Sequence, residues 1–294
     1  MKTIQRFAEK HTFLYCILAE ILVLGGMMAA GTAISLAAYI VLGLDVDYYV
    51  VMGAQELCGA LIAFLAIWLS GCADIFKRRG IGFGRGLLVG GYFLFIGTYS
   101  AIVFFVTYGG ERVLKPWYDI AAFAVCMLLV GVTEEFLCRG ILAELLRRHY
   151  GATPAGIWKA VVVSGVLFGL AHLTNLFTAK PLGVLVQCAS AGAMGMAFAA
   201  IYFRTGCIWV TVVLHAFVDF AALITSGLYR GSGTVDGVIS EYTPANLIAV
   251  VPYIIVVLVL LRQKKMDEIV ERFAWEEQKE IPQYSARPDL DWMR

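Results

Sequence analysis

Eight stretches of this chain are apolar for long enough to cross a membrane, and no other feature constrains its fold as much. They cover 13–43, 48–72, 86–109, 117–146, 157–176, 181–203, 206–228 and 244–261. About 20 residues of helix traverse the roughly 30 Å hydrocarbon layer. The first and fourth stretches exceed that and are expected to tilt or to continue as helix beyond the lipid. The expected fold is therefore all-α, a polytopic membrane bundle of about eight transmembrane helices. Composition agrees: 60% of the 294 residues are hydrophobic and 15% charged, against roughly 45–50% and 25% in soluble domains.

The apolar segments make one transmembrane domain over 1–261, followed by a polar cytoplasmic tail over 262–294. Within the tail, Met266, Ile269, Val270 and Phe273 have the spacing of a short surface or interfacial helix, and the remainder is expected to be loose. The N-terminus is basic, yet its apolar run is too long for a cleaved signal peptide and has no early small-residue cleavage site. It is expected to be the first permanent span. Seven cysteines, none in a Cys-x-x-Cys pair, read as small buried hydrophobes. A net charge of +1 gives no footprint for nucleic acid. Nothing in the sequence fixes an oligomeric state.

Basic residues orient the bundle. With the N-terminus inside, fourteen of them, including Lys2, Arg6, Lys77, Arg78, Arg147 and Arg262, face the cytoplasm. Arg112, Lys115, Lys180 and Arg230 face the other side. Eight spans with this bias place both termini in the cytoplasm. Asp45 and Asp47 then fall in an outer loop, and Glu56 near the outer end of its helix, at the interface and without an assigned role.

Charge within such segments is expensive, roughly 2.5–3.5 kcal/mol per group at the helix centre, and so requires partners. Glu135 and Arg139 are spaced i, i+4 with the glutamate first, the favourable order for an ion pair on one face. Glu134 points about 100° away and is free to meet other helices. Phe168 and His172 share a face, and Gly165, Gly169 and Ala171 around them allow another helix to approach closely. His215 and Asp219 form a second i, i+4 pair, in which the carboxylate can fix the imidazole tautomer and aim the other ring nitrogen at a substrate. Each set reads either as an interhelical clamp or as acid–base machinery. Three separate spans each bringing such groups exceed what clamping needs. The chain has no HExxH, G-x-S-x-G, Walker A or dinucleotide pattern. Nor does any Ser or Cys stand out as a nucleophile beside a His, so activated water is favoured over a covalent nucleophile.

Glu134-Glu135-x-x-x-Arg139, Phe168-x-x-x-His172 and His215-x-x-x-Asp219, in that order, resemble the signature of the CPBP family. These are the type II CAAX prenyl endopeptidase-like intramembrane proteases, also called Abi proteins. The resemblance covers about 117–225. It implies an eight-helix membrane bundle in which Glu134 activates water, His172 helps to hold it, and Glu135 with Arg139 supports the site or contacts substrate. His215 and Asp219 match the pair that stabilises the tetrahedral intermediate. The eukaryotic prenyl-protein proteases typically have Asn at the last position. Asn offers an N–H donor to an oxyanion, whereas ionised Asp cannot. Asp219 must then be protonated, orient His215 or help to bind a metal. The preferred account needs no cofactor. The alternative holds Zn²⁺ with Glu134, His172 and His215, since a catalytic zinc needs about three protein ligands and an open position.

The expected activity is peptide-bond hydrolysis in or beside the lipid bilayer, on a membrane-associated protein or peptide. Access is expected from the cytoplasmic leaflet, near the loop from Arg147 to Lys159. The short loops and small size suggest a bacterial cell membrane. The alternatives are a non-catalytic immunity or scaffold protein and a proton-coupled transporter. The lack of an internal repeat weakens the transporter reading.

Overall fold

The computed structural model describes residues 2–43 and 46–280. Asp45 and the stretch 281–294, expected in an outer loop and a loose tail, lie outside the described residues. The helices in order are α1 (Lys2–Lys10), α2 (Thr12–Val41), α3 (Tyr48–Leu69), α4 (Phe83–Val89), α5 (Gly91–Thr107), α6 (Trp117–Tyr150) and α7 (Pro154–Phe177). They continue with α8 (Pro181–Thr205), α9 (Ile208–Ala222), α10 (Ile224–Leu228), α11 (Val235–Ser240), α12 (Pro244–Leu260) and α13 (Gln263–Glu280). Among the described residues the only β-pairing is one isolated bridge between Leu114 and Tyr229.

The all-α expectation holds, but the count of eight spans is not reproduced. Five helices, α2, α3, α6, α7 and α8, are long and apolar enough to cross a membrane. Two bent pairs raise the number to seven: α4 with α5, turned by 70°, and α12 with the start of α13, turned by 65°. Helix α9 is apolar but has 15 residues, short of a full crossing. Large apolar side chains such as Leu22, Leu61, Phe64, Phe95 and Ile102 cover the outside. That surface fits lipid rather than water, and the chain is an integral membrane protein.

Local chemistry sets the helix limits. Thr153 Oγ1 accepts from the Gly156 amide at 3.0 Å, and Pro154 occupies the first helical position of α7, where a missing N–H costs nothing. Gly206, at φ 69°, ends α8 in the left-handed conformation that glycine adopts without strain. Helices α7 and α8 press together through glycines. A Cβ on Gly169 would lie 2.5 Å from the Cys188 carbonyl oxygen, and one on Gly165 2.8 Å from that of Gly192. The small residues beside His172 therefore do permit the close approach expected of them.

The two ends of the bundle are held differently. At the end carrying the Lys77–Arg79 loop, buried Glu144 accepts from Arg78 Nη1 and Nη2, both at 3.1 Å, and from Arg147 Nη2 at 2.9 Å. Arg148 Nε at 3.0 Å and the Tyr202 hydroxyl at 3.1 Å complete its shell. Asp74 ties Arg78 and Arg148 into the same knot. Helix α13 closes this end. Met266, Ile269 and Phe273 are buried, Phe273 meets Phe203 edge-on at 5.7 Å, and Arg272 donates to the Phe203 carbonyl. The apolar face read from the sequence thus covers the protein's own bundle rather than a lipid surface. The opposite end is assembled from loops, with Lys115 paired to Asp47 at 3.0 Å and Thr178 Oγ1 donating to Asp236 at 3.1 Å.

Candidate active site

Helix α6 supplies three of the expected polar groups and changes its winding where they lie. From Phe136 to Ala143 the backbone is π-helical, the wider i→i+5 form that is rare and concentrates at functional sites. Gly140 sits within that stretch, and a Cβ there would come within 2.5 Å of Ile67 Cδ1 on α3. Glu135 ends the regular α-helix and Arg139 lies one turn into the π stretch.

The expected Glu135–Arg139 pair forms, with Arg139 Nε 3.0 Å from Glu135 Oε2 and both side chains essentially without solvent exposure. Its geometry is that of an ion pair, without a directed hydrogen bond. The guanidinium lies between two rings, 5.5 Å from the Phe168 centroid and 5.2 Å from that of Phe198. Nη2 reaches the Gly195 carbonyl at 3.4 Å. Two aromatic faces and one carboxylate thus share a buried cation that a single carboxylate would satisfy poorly.

Glu135 also crosses to α9, its Oε1 lying 2.7 Å from His215 Nδ1. On the far side of that ring, Nε2 is 3.2 Å from Glu134 Oε2 and 3.6 Å from Asp219 Oδ2. The carboxylate that orients the imidazole is therefore Glu135, from another helix. Asp219, expected to orient it through the i, i+4 spacing, stands beyond hydrogen-bond range. The ring itself is fixed by stacking on Phe198 at 4.8 Å and by the edge of Phe168 at 5.9 Å. His215, Glu135 and Arg139 are buried, while Glu134 and Asp219 keep side-chain exposures of 28% and 25%. Glu134, expected to meet other helices, does so at an accessible position.

His172 caps the α-helical part of α7, its ring against Phe168 at 4.9 Å and its Nδ1 2.9 Å from the Phe168 carbonyl oxygen. A carbonyl only accepts, so Nδ1 carries the proton of that bond. Nε2 of a neutral ring is left with its lone pair. Phe168 touches His172, His215 and Arg139, and so holds the two imidazoles in relation to the buried cation.

Glu56 is the residue that sequence reading misplaced. Assigned to an interfacial position, it is in fact 5% exposed. Its backbone carbonyl accepts from Thr133 Oγ1 at 2.7 Å, one residue before Glu134, and its own Oε2 has no hydrogen-bond partner. The signal available was its type: a carboxylate inside an apolar span calls for an explanation wherever it falls. Phe198 carried no such signal, because one aromatic on an apolar helix resembles any other.

A cavity of about 1020 Å³ opens beside this cluster, reaching Gln55 and Glu56 on α3 and Thr174 and Asn175 just beyond His172. Its mouth is bounded by Asp47, Asp119 and Asp236. It lies at the loop-built end, opposite the Arg147–Lys159 loop from which access was expected. The physical reason is direct: the Glu144 knot and α13 seal the other end.

The zinc alternative would draw its ligands from Glu134, His172 and His215. Among the described residues no three His, Cys, Asp or Glu side chains gather as a metal-binding group.

No curated protein matches the chain. Residues 116–221 match the family model described as Type II CAAX prenyl endopeptidase Rce1-like. That span contains Glu134, Glu135, Arg139, Phe168, His172, His215 and Asp219, the residues of the polar cluster described above. Residues 116–221 are thus similar to an Rce1-like domain of the CAAX/CPBP type.

Proposed function

We propose that the protein is an intramembrane endopeptidase that hydrolyses peptide bonds with water activated by Glu134 and His172. The observation that carries this reading is the contrast between two neighbouring carboxylates. Glu135 is sealed and committed to Arg139 and His215, whereas Glu134 is 28% exposed and approaches His215 Nε2 at 3.2 Å. A general base needs such freedom to take a proton and to reach substrate. His172 Nε2, with Nδ1 committed to a carbonyl, is suited to accept from the same water. His215, held by Glu135, presents its Nε2–H where an oxyanion develops, and a fixed donor of that kind lowers the barrier by stabilising new charge. Asp219, 3.6 Å from this Nε2, adds a carboxylate that favours the protonated imidazole.

With the Lys77–Arg79 end of the bundle cytoplasmic, the cavity opens on the non-cytoplasmic face, and the substrate is a membrane-associated protein or peptide entering from that leaflet. The scaffold reading accounts for the sealed Glu135–Arg139–His215 triad. It gives no reason for a partly exposed Glu134 beside the buried His215. Detergent-purified protein incubated with a peptide library tests the proposal. Cleavage by wild type and none by Glu134→Gln is expected, and no cleavage by either refutes it.

A further inference from the structure

The cavity has a charge pattern that hydrolysis does not require. Three carboxylates, Glu56, Asp119 and Asp236, line it without an opposing cation among the described residues, and no Lys or Arg lies in its wall. The fourth, Asp47, is neutralised by Lys115. Asp236 accepts one bond from Thr178 and has its second oxygen available. Glu56 stands deepest, almost fully buried, and its Oε2 lacks any hydrogen-bond partner. A buried carboxyl oxygen left unsatisfied bears the full cost of its lost hydration, so its retention points to a partner that arrives with the ligand. Tyr48, Tyr118 and Phe177 add aromatic faces to the same wall, and such faces attract cations.

We propose that this cavity recognises a cationic group of a peptide, a lysine or arginine side chain or a free N-terminal ammonium. Asp119 and Asp236 attract it at the mouth and Glu56 receives it at the floor. The peptide's fate as a substrate rests on the hydrolase reading, but its recognition does not. The acidic mouth raises the local concentration of positive peptides and excludes acidic ones. The unpaired oxygen of Glu56 gains a donor only when the charge is seated, so the register of the chain relative to Glu134 is set by the distance from the bond to the cation.

Fluorescein-labelled apolar peptides that differ at one position, Lys, Gln or Glu, test this by anisotropy on the full-length protein in detergent. The Lys peptide is expected to bind about tenfold more tightly than the Gln peptide, a step of ~1.4 kcal/mol, and the Glu peptide more weakly than either. Raising the salt should shrink the preference, as expected for charges near solvent. Glu56→Gln should reduce it to about twofold or less. The surface changes Asp119→Asn and Asp236→Asn, which leave the core untouched, should reduce it in part and keep the assay informative if the Glu56 variant misfolds. Equal affinity for the Lys and Glu peptides would overturn the proposal, as would a preference untouched by all three changes. Charge-selective binding without cleavage refutes the hydrolase alone, and cleavage without charge preference refutes the cation site alone.

Discussion

Replacing Glu135 by Gln isolates the buried ion pair, because the amide retains an oxygen for His215 Nδ1 and removes only the charge facing Arg139. At 3.0 Å the attraction is about 5 kcal/mol with an effective dielectric near 20. Part of this is recovered because the neutral amide carries no desolvated charge. Arg139 keeps the Phe168 and Phe198 faces and a long contact to the Gly195 carbonyl, which offset about 2 kcal/mol of its burial. The expected net loss is about 3–5 kcal/mol, the usual cost of stripping one partner from a buried pair. Thermal and denaturant unfolding in detergent would measure it, with folding yield as a second readout. Glu135→Gln combined with Arg139→Met removes the stranded charge and should regain much of the loss. An unchanged melting temperature for Glu135→Gln would falsify the buried-pair argument. So would a double variant no more stable than the single one.

Glu134→Gln should melt like wild type, since its side chain is partly exposed, while turnover falls by about 10²–10⁴-fold for loss of a positioned base. Wild-type cleavage should persist in strong chelator, and loss of activity that added zinc restores would make the chemistry metal-based. Gly131→Ala should cost about 1–3 kcal/mol through overpacking. Its Cβ would lie 2.7 Å from the Val212 carbonyl and 2.9 Å from Ala216 Cβ, so an unfolding curve matching wild type would show that α6 and α9 can separate freely. In intact cells, a cysteine placed at position 236 of a cysteine-free variant should react with an impermeant reagent, and one at position 77 should not. The reverse labelling would invert the proposed orientation.

Spacing along one helix was legible in the sequence, because i and i+4 positions are neighbours whatever surrounds them. Glu135 and Arg139 pair as that rule requires, and Phe168 and His172 meet as ring and edge. For His215 and Asp219 the rule gives the pair, at 3.6 Å, but not the closer partner. It places both on one face but cannot weigh Asp219 against a carboxylate arriving from another helix at 2.7 Å. Helix rotation decides that contest, and rotation is set by packing such as Gly131 against the α9 backbone. The π-helical winding of Phe136–Ala143 leaves no mark in an apolar pattern. The break between α4 and α5 and the short α9 were similarly hidden, since hydropathy measures how apolar a run is and not whether it bends. Glu56 was misjudged by position along the chain, and its burial comes from α6 lying across it through Thr133.

The knot around Glu144 gives the bundle a fixed end, and with it a lever. From Glu144 to Trp117, helix α6 runs about 40 Å at 1.5 Å per residue, whereas Glu134 lies only about 15 Å from the pivot. A tilt of about 5° would therefore carry the mouth by roughly 3.5 Å and Glu134 by little more than about 1 Å. Loops joined by few contacts can supply such a tilt far more readily than three arginines wrapped around one carboxylate. Such a tilt would displace the entrance roughly three times as far as Glu134, so the geometry of α6 concentrates its freedom at the mouth rather than around His215.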